Sequence, residues 1–405
     1  MKSASVSQPA VRIACLGLTA LAATSVHATD GYFDYGYGVQ SKGIGGAGVA
    51  FPQDGLAPAI NPAGAAFLDN RLDVGLTYLN PDRSATAADG PAIGQKYSGD
   101  GIENFYIPEI GFKHSIATNW DFALAIYGNG GMNTDYSENP GFGSGHAGVD
   151  LEQLFVAPTL SYKITPNQAF GISPLFALQR FKAYGLQGFG VPDAGYDYSY
   201  GTGVRVGYTG RLTDWLTVGA TYQSRTFTTR LDKYSGLFAE HGSFDIPSNF
   251  AAGIALKPVK PLTFALDVER IQYSEVRSVG NLLTFSAPPG ADNGPGFGWR
   301  DVTAVKTGVA YDVFQNLTLR AGYNYTTQPI RADQTYFNVL APAVPQHHVT
   351  AGLTWRFEND FELSAFYAHA FENEVKGSGS IAGPGTDFDL SMSQNTFGVS
   401  LSWLL

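Results

Sequence analysis

The chain has 405 residues and a formal net charge of −10, with 35 acidic side chains against 25 basic ones. An acidic balance of this size argues against nucleic acid as a partner. Charged residues make up only 15% and aromatics 13%, with 49 glycines; a soluble domain usually carries about 25% charge.

Residues 1–28 read as an export signal. Lys2 and Arg12 supply a basic start, Ile13 to Ala23 a short apolar run, and Val26-His27-Ala28 the small residues of a cleavage site, so the mature chain is expected to begin at Thr29. The apolar run is shorter than the ~20 residues a helical span needs. Cys15, the only cysteine, falls in this stretch without a lipoprotein cleavage box before it, which leaves the mature chain with no disulfide or thiol chemistry. Losing Lys2 and Arg12 takes 25 bases to 23 and the net charge to −12.

Residues 29–70 read as a separate unit. Thr29 to Gln40 is rich in glycine and aromatics, and Gly43 to Phe67 is almost uncharged. Pro52, Pro58 and Pro62 each remove a backbone donor, so no strand of any length fits there. The expectation is a plug, or hatch, inside whatever the rest of the chain builds.

From Arg71 to Leu405 the pattern has period two, as in a sheet with one apolar face. Leu72, Val74, Leu76 and Tyr78 share a face; so do Trp120, Phe122, Leu124 and Ile126, and later Leu317, Leu319, Ala321 and Tyr323. A soluble sandwich would show the same alternation. The connections separate the two: short turns near 117, 166, 213, 259, 314 and 358 alternate with long polar, glycine-rich loops. That alternation belongs to an outer-membrane barrel with short turns on one side and long loops on the other. Counting between connections gives about fourteen strands of roughly 10 residues each, with both termini on the short-turn side. The fold class is therefore all-β, a transmembrane antiparallel β-barrel over 71–405 with residues 29–70 as the plug. Trp120, Trp215, Trp355 and Trp403 sit near strand ends on the short-turn side, where indoles occupy the membrane interface.

Three features resemble the FadL/TodX-type outer-membrane transporters: the Gly43–Gly48 run with Asp54 after it, Asn61-Pro62-Ala63-Gly64 in the position of that family's hatch motif, and a strand beginning soon after, at Arg71. The terminal Leu405, where such barrels usually end in an aromatic, departs from the pattern. The resemblance implies an outer-membrane channel of Gram-negative bacteria for hydrophobic compounds, either fatty acids or aromatic hydrocarbons. It implies capture at external loops, movement of the hatch, and lateral exit beside a kinked third strand. Lateral exit keeps an apolar molecule out of water, at roughly 0.8 kcal/mol per CH₂. The implied surroundings are a hydrophobic substrate, outer-membrane lipid and lipopolysaccharide, and the barrel-assembly machinery, with the protein a monomer.

The residues themselves supply candidates. Gly128, Gly130 and Gly131 permit a bend in the third strand, and Pro108 and Pro158 in its neighbours point to broken pairing there. Asn61 either bonds the freed backbone of the third strand or only starts a short helix. Leu186, Phe189, Val191, Leu237 and Phe238 are apolar residues in predicted loops, read as a capture surface or as a cap packed on itself. Alternation places Arg205, Arg225, Lys306, Arg320 and Arg356 inward with Asp267, Glu269 and Glu362, as an ion-pair network or with Lys306 or Arg320 holding a substrate carboxylate. No catalytic residue, cofactor or metal is expected: Gly43-x-Gly45-x-x-Gly48 has no strand before it, and His347 and His348 point to opposite faces. A diffusion porin for small polar solutes, a lipid-acting barrel enzyme and an adhesion barrel remain as alternatives.

Overall fold

The computed structural model describes residues 30–284 and 286–405; the expected signal, Cys15 and Thr29 lie outside the described residues. Its strands are β1 (Arg71–Ala87), β2 (Phe105–Ala117), β3 (Trp120–Tyr136), β4 (Ala147–Thr165), β5 (Gln168–Tyr184), β6 (Asp197–Arg211) and β7 (Leu216–Gln223). They continue as β8 (Asn249–Val259), β9 (Leu262–Ile271), β10 (Val302–Phe314), β11 (Leu317–Thr326), β12 (His347–Arg356), β13 (Phe361–Val375) and β14 (Phe388–Leu404). Each pairs antiparallel with its sequence neighbours, and β14 returns to β1 in unbroken register from Arg71↔Leu404 to Ala87↔Phe388. The sheet is a closed barrel of fourteen strands, so no edge runs open along its whole length. Two short ribbons, Lys96–Ser98 on β1 and Phe227–Thr228 on β6, project on the long-loop side.

The faces follow side-chain chemistry. Leu76, Phe264, Leu319, Phe397 and Val399 point out and are exposed, while Asp73, Asp267, Arg320 and Thr396 on alternate positions are buried. Trp120, Trp215, Trp355 and Trp403 all face outward, each at least 40% exposed.

Strand length departs from the uniform expectation of about 10 residues. It runs from 8 residues in β7 to 19 in β4, and β1, β3, β5 and β14 have 17 each. In the extra length both faces are covered: Tyr127–Thr134 of β3 and Ala147–Gln153 of β4 are buried without alternation. A sequence buried on both faces loses its period of two, which is why these ends read as loops.

Inside the barrel, wall and N-terminal segment approach closer than side chains allow. A Cβ on Gly322 of β11 would lie 2.1 Å from the carbonyl carbon of Ile44, and one on Gly207 of β6 would lie 2.0 Å from Asn61 Oδ1. Overpacking such a contact costs about 1–3 kcal/mol. Gly322→Val is therefore expected to lift the segment from the wall without preventing barrel closure. Raised ion conductance of the purified variant in planar bilayers, with normal heat-modifiable migration on gels, checks this; wild-type conductance would contradict it.

Candidate functional site

Residues 30–70 are held to almost every part of the inner wall. Asp30 lies 3.1 Å from Lys306 Nζ of β10 and accepts from Asn324 Nδ2 of β11, also at 3.1 Å. A short helix α1 (Val39–Lys42) packs near β12–β14. Lys42 pairs with Asp34 at 2.9 Å and with Glu109 of β2 at 3.7 Å. Asp267 of β9 accepts from the backbone of Gly48 and Val49, and Asp73 of β1 from that of Gly55. These carboxylates take the donors of a segment that has neither ladder nor long helix of its own.

Asn61 caps the 3-10 helix Pro62–Phe67 by accepting from Ala63 N. Its amide donates to Val49 O at 2.7 Å and to Tyr208 O and Thr209 Oγ1 of β6, both at 3.0 Å. Pro62 O accepts from Ser161 Oγ of β4 at 2.6 Å. Ala63 is fully buried, and Gly64 passes so close to Pro52 that a Cβ would clash at 2.9 Å. The expected bond from Asn61 to the third strand is not made. Asn61 fastens the segment to β6 instead, and the 3-10 helix it caps lies mainly along β4, β5 and β6.

The third strand is interrupted on its other side. The β2–β3 ladder ends at Ile110↔Ile126, although β2 reaches Phe105 and β3 reaches Tyr136. Above that point β3 stays paired only with β4, across a bulge between Gly128 and Gly130 that leaves Asn129 as the extra residue. The N-terminal segment fills the place of β2. Asp34 N donates to Asn129 O and Gly131 N to Tyr32 O, with Phe33 bridged to Gly130. Tyr37 OH donates to Asn129 O at 3.1 Å, and Gly38 N to Glu109 on the opposite lip at 3.3 Å. Pro108 sits opposite Leu76 in the part of β2 that has no β3 partner. Pro158 behaves differently from expectation: its pairing with Leu124 of β3 is intact, and the interruption lies between β4 and β5, where Pro158 faces Pro174.

Residues 35–403 match the family described as outer membrane protein transport protein (OMPP1/FadL/TodX). The chain belongs to this family. Solved structures agree in fold. The toluene transporter TodX of P. putida superposes with a TM-score of 0.70 at 19% identity, covering 92% of this chain and 99% of its own. A Pseudomonas aeruginosa FadL homologue gives 0.71 at 17%, with the same coverage. The Ralstonia pickettii toluene transporter TbuX gives 0.64 at 16%, again over 92% and 99%. No curated protein matches the chain by sequence. The protein is thus an outer-membrane channel of the FadL/TodX type, in the Gram-negative outer membrane.

On this FadL/TodX barrel the loop residues form a cap rather than an open groove. Leu186, Val191, Leu237 and Phe238 are buried in one cluster with Phe181, Tyr234 and Trp299, and Phe189 is half-buried against Phe142, Tyr336 and Phe337. Apolar loop side chains out of reach of lipid bury one another. In the same cluster, Tyr32 and Phe33 pack in a cage of Phe244, Tyr273 and Trp299. Tyr273 OH accepts from Tyr32 N and Phe33 N, both at 3.1 Å, and donates to Asp30 O at 2.5 Å.

Both proposed carboxylate anchors are engaged within the protein, Lys306 by carboxylates and Arg320 by neutral acceptors. Lys306 is neutralised by Glu269 at 2.7 Å and Asp30 at 3.1 Å. Arg320 donates to Gln53, Thr354 and Gln40 at 2.7–2.8 Å and is locked between segment and wall. Arg225 lies beyond β7 and pairs with Asp245; Arg356 pairs with Glu362 at the short-turn rim. His347 is exposed and His348 buried, on opposite faces, and no group that could hold a metal exists among the described residues. Sequence reasoning missed Tyr273, Asp30 and Asn129. Only Asn129 carried a signal, as the polar residue inside a glycine run.

Asn61→Ala removes three donor contacts and a cap, about 1–3 kcal/mol of docking energy. The expected outcome is altered hydrophobic uptake with unchanged barrel assembly, measured with a radiolabelled substrate in whole cells. A second handle is Asp54, buried and accepting from Gln40 N and Leu56 N. Burial first, then the carboxylates of Asp73 and Glu109, push it up to about 7 from an ordinary 3.8. The docked state then holds the proton more tightly than the undocked one, so docking weakens as pH rises from about 4 to about 7 and changes no further above. Amide exchange of residues 39–60, corrected for intrinsic rate, should be faster at pH 8 than at pH 5, and Asp54→Asn should flatten the difference.

Proposed function

We propose that this channel admits neutral hydrophobic compounds by passive diffusion. Molecules are captured at the long loops, take the place of Tyr32 and Phe33 in the aromatic cage as the hatch, residues 30–70, shifts, and leave sideways into the membrane beside β3. The observation that carries the reading is the edge of β3 above Ile126, which lacks β2 and is closed by hatch residues 32–34 instead. A barrier made of a movable segment opens without breaking the barrel.

Two observations favour a neutral hydrocarbon over a fatty acid. Lys306 and Arg320 are both engaged, and the cage offers aromatic faces. TodX and TbuX are toluene transporters. A diffusion porin would need a wetted bore, whereas segment and wall here meet at less than side-chain distance. The reading assigns no chemical step to the protein. It places a monomer among outer-membrane lipid and lipopolysaccharide, delivered by the barrel-assembly machinery.

Deleting Asn129 removes the extra residue of the bulge and lets β3 pair with β2. The expected result is loss of uptake, with growth of a complemented deletion strain on a toluene-like carbon source abolished and the barrel still folded. Full growth would exclude lateral exit beside β3. In the same strain, growth on oleate that depends on the protein while growth on toluene does not would exclude the neutral substrate.

A further inference from the structure

Three partners that are not β2 satisfy the free edge of β3. Lowest is the hatch, at Asn129 and Gly131. Highest is the loop after the β1 ribbon, where Gly101 N donates to Asp135 O and Asp135 N to Gly99 O, both at 3.0 Å. Between them, Asn133 O accepts from the guanidinium of Arg83.

Arg83 comes from β1, two strands away, and is fully buried. β1 itself has no β2 partner between Leu79↔Phe105 and the ribbon pair Ser84↔Ser98. The side chain crosses that interval. Its Nε lies 3.2 Å from Asp100 Oδ1, its Nη2 donates to Ile102 O, and its guanidinium stands 5.8 Å from the Phe105 ring centre. Arg83 O also accepts from Gly99 N at 2.9 Å. One fork of donors thus ties β1, the loop and β3 together where a strand is missing.

We propose that Arg83 is the bolt of the lateral opening: a positioning residue that holds β3 to β1 above the hatch and sets the loop-side limit of the exit window. This rests on the lateral-exit reading. Bonds from a charged, rigid guanidinium are stronger than neutral ones, more so when buried. At β3 itself the hatch is held by neutral backbone and tyrosine bonds, so that contact yields before the guanidinium does. The window is then the stretch from Tyr127 to Met132, about 20 Å along the strand. A cavity of about 20 Å³ bounded by Gly31, Tyr32, Arg83, Gly131 and Asn133 lies where hatch and bolt meet. Because the bolt reaches from β1 to β3, it limits how far the two strands part; a single ring or an extended chain needs little width, and a wide fused-ring solute gains most when the bolt is withdrawn.

The test compares uptake of toluene and pyrene by cells carrying Arg83→Met, Arg83→Lys or Asp100→Asn, with heat-modifiable migration confirming a folded barrel. Losing charge-assisted bonds shifts an open–closed balance by about tenfold or more, so the pyrene-to-toluene ratio should rise by that factor in Arg83→Met. Arg83→Lys and Asp100→Asn should move it the same way and less. A merely structural role would lower both solutes together and leave the ratio flat. A flat ratio in folded variants, with uptake abolished by deleting Asn129, overturns the bolt alone. Full uptake after deleting Asn129 overturns lateral exit and the bolt with it.

Discussion

A backbone group facing lipid has no water to bond, so every donor and acceptor in the wall must find a protein partner. The edge of β3 above Ile126 is the place where this barrel meets that requirement without a neighbouring strand. The bulge at Asn129 turns the strand away from β2, and the hatch, Arg83 and a loop take over the freed groups in succession. The interrupted ladder and the groups that cover it are therefore one structure. The wall cannot have this gap without something inside the bore to cover it.

The same need for partners shapes the hatch. It is too short and too rich in proline to satisfy its own backbone, so it borrows acceptors from the wall: Asp73, Glu109, Asp267 and the hydroxyl of Thr350. Wall glycines such as Gly207 and Gly322 let it come close enough for those bonds to form. Some of the inward charges are used in this docking: Lys306 meets Asp30, and Arg320 meets Gln40 and Gln53. That is why Lys306 and Arg320, read from alternation as free to meet a substrate, are instead part of the hatch's seat. Docking spread over many separate bonds fits the proposed movement of the hatch.

Reading the chain as strands worked where one face meets lipid and the other meets the bore. The outward tryptophans, the short turns and the count of fourteen all follow from that two-sided environment. It failed at the loop-side ends of β3 and β4, where both faces are covered and alternation vanishes. Arg83 was lost for a related reason, since Pro81-Asp82 looks like a turn although β1 runs through it to Ala87. Leu186, Val191, Leu237 and Phe238 were rightly seen as unusual for loops, but only packing shows that they cover one another. For Pro158, proline chemistry correctly marks an interrupted ladder; which of its two neighbours loses the bond depends on register, and that partner is β5.

What the sequence by itself determined is what depends on local pattern: an all-β barrel with a proline-broken unit ahead of it, and Asn61-Pro62-Ala63-Gly64 as the recognisable piece of that unit. Solvent and lipid act on each residue separately, so periodicity records them. What only the tertiary structure decided is which groups meet across the bore: Asn61 with β6, Tyr273 with residues 30–33, Arg83 with the edge of β3. Such pairs lie far apart in the chain, and each partner alone looks like any other asparagine, tyrosine or arginine; their roles arise only when closure of the sheet fixes the distances between them.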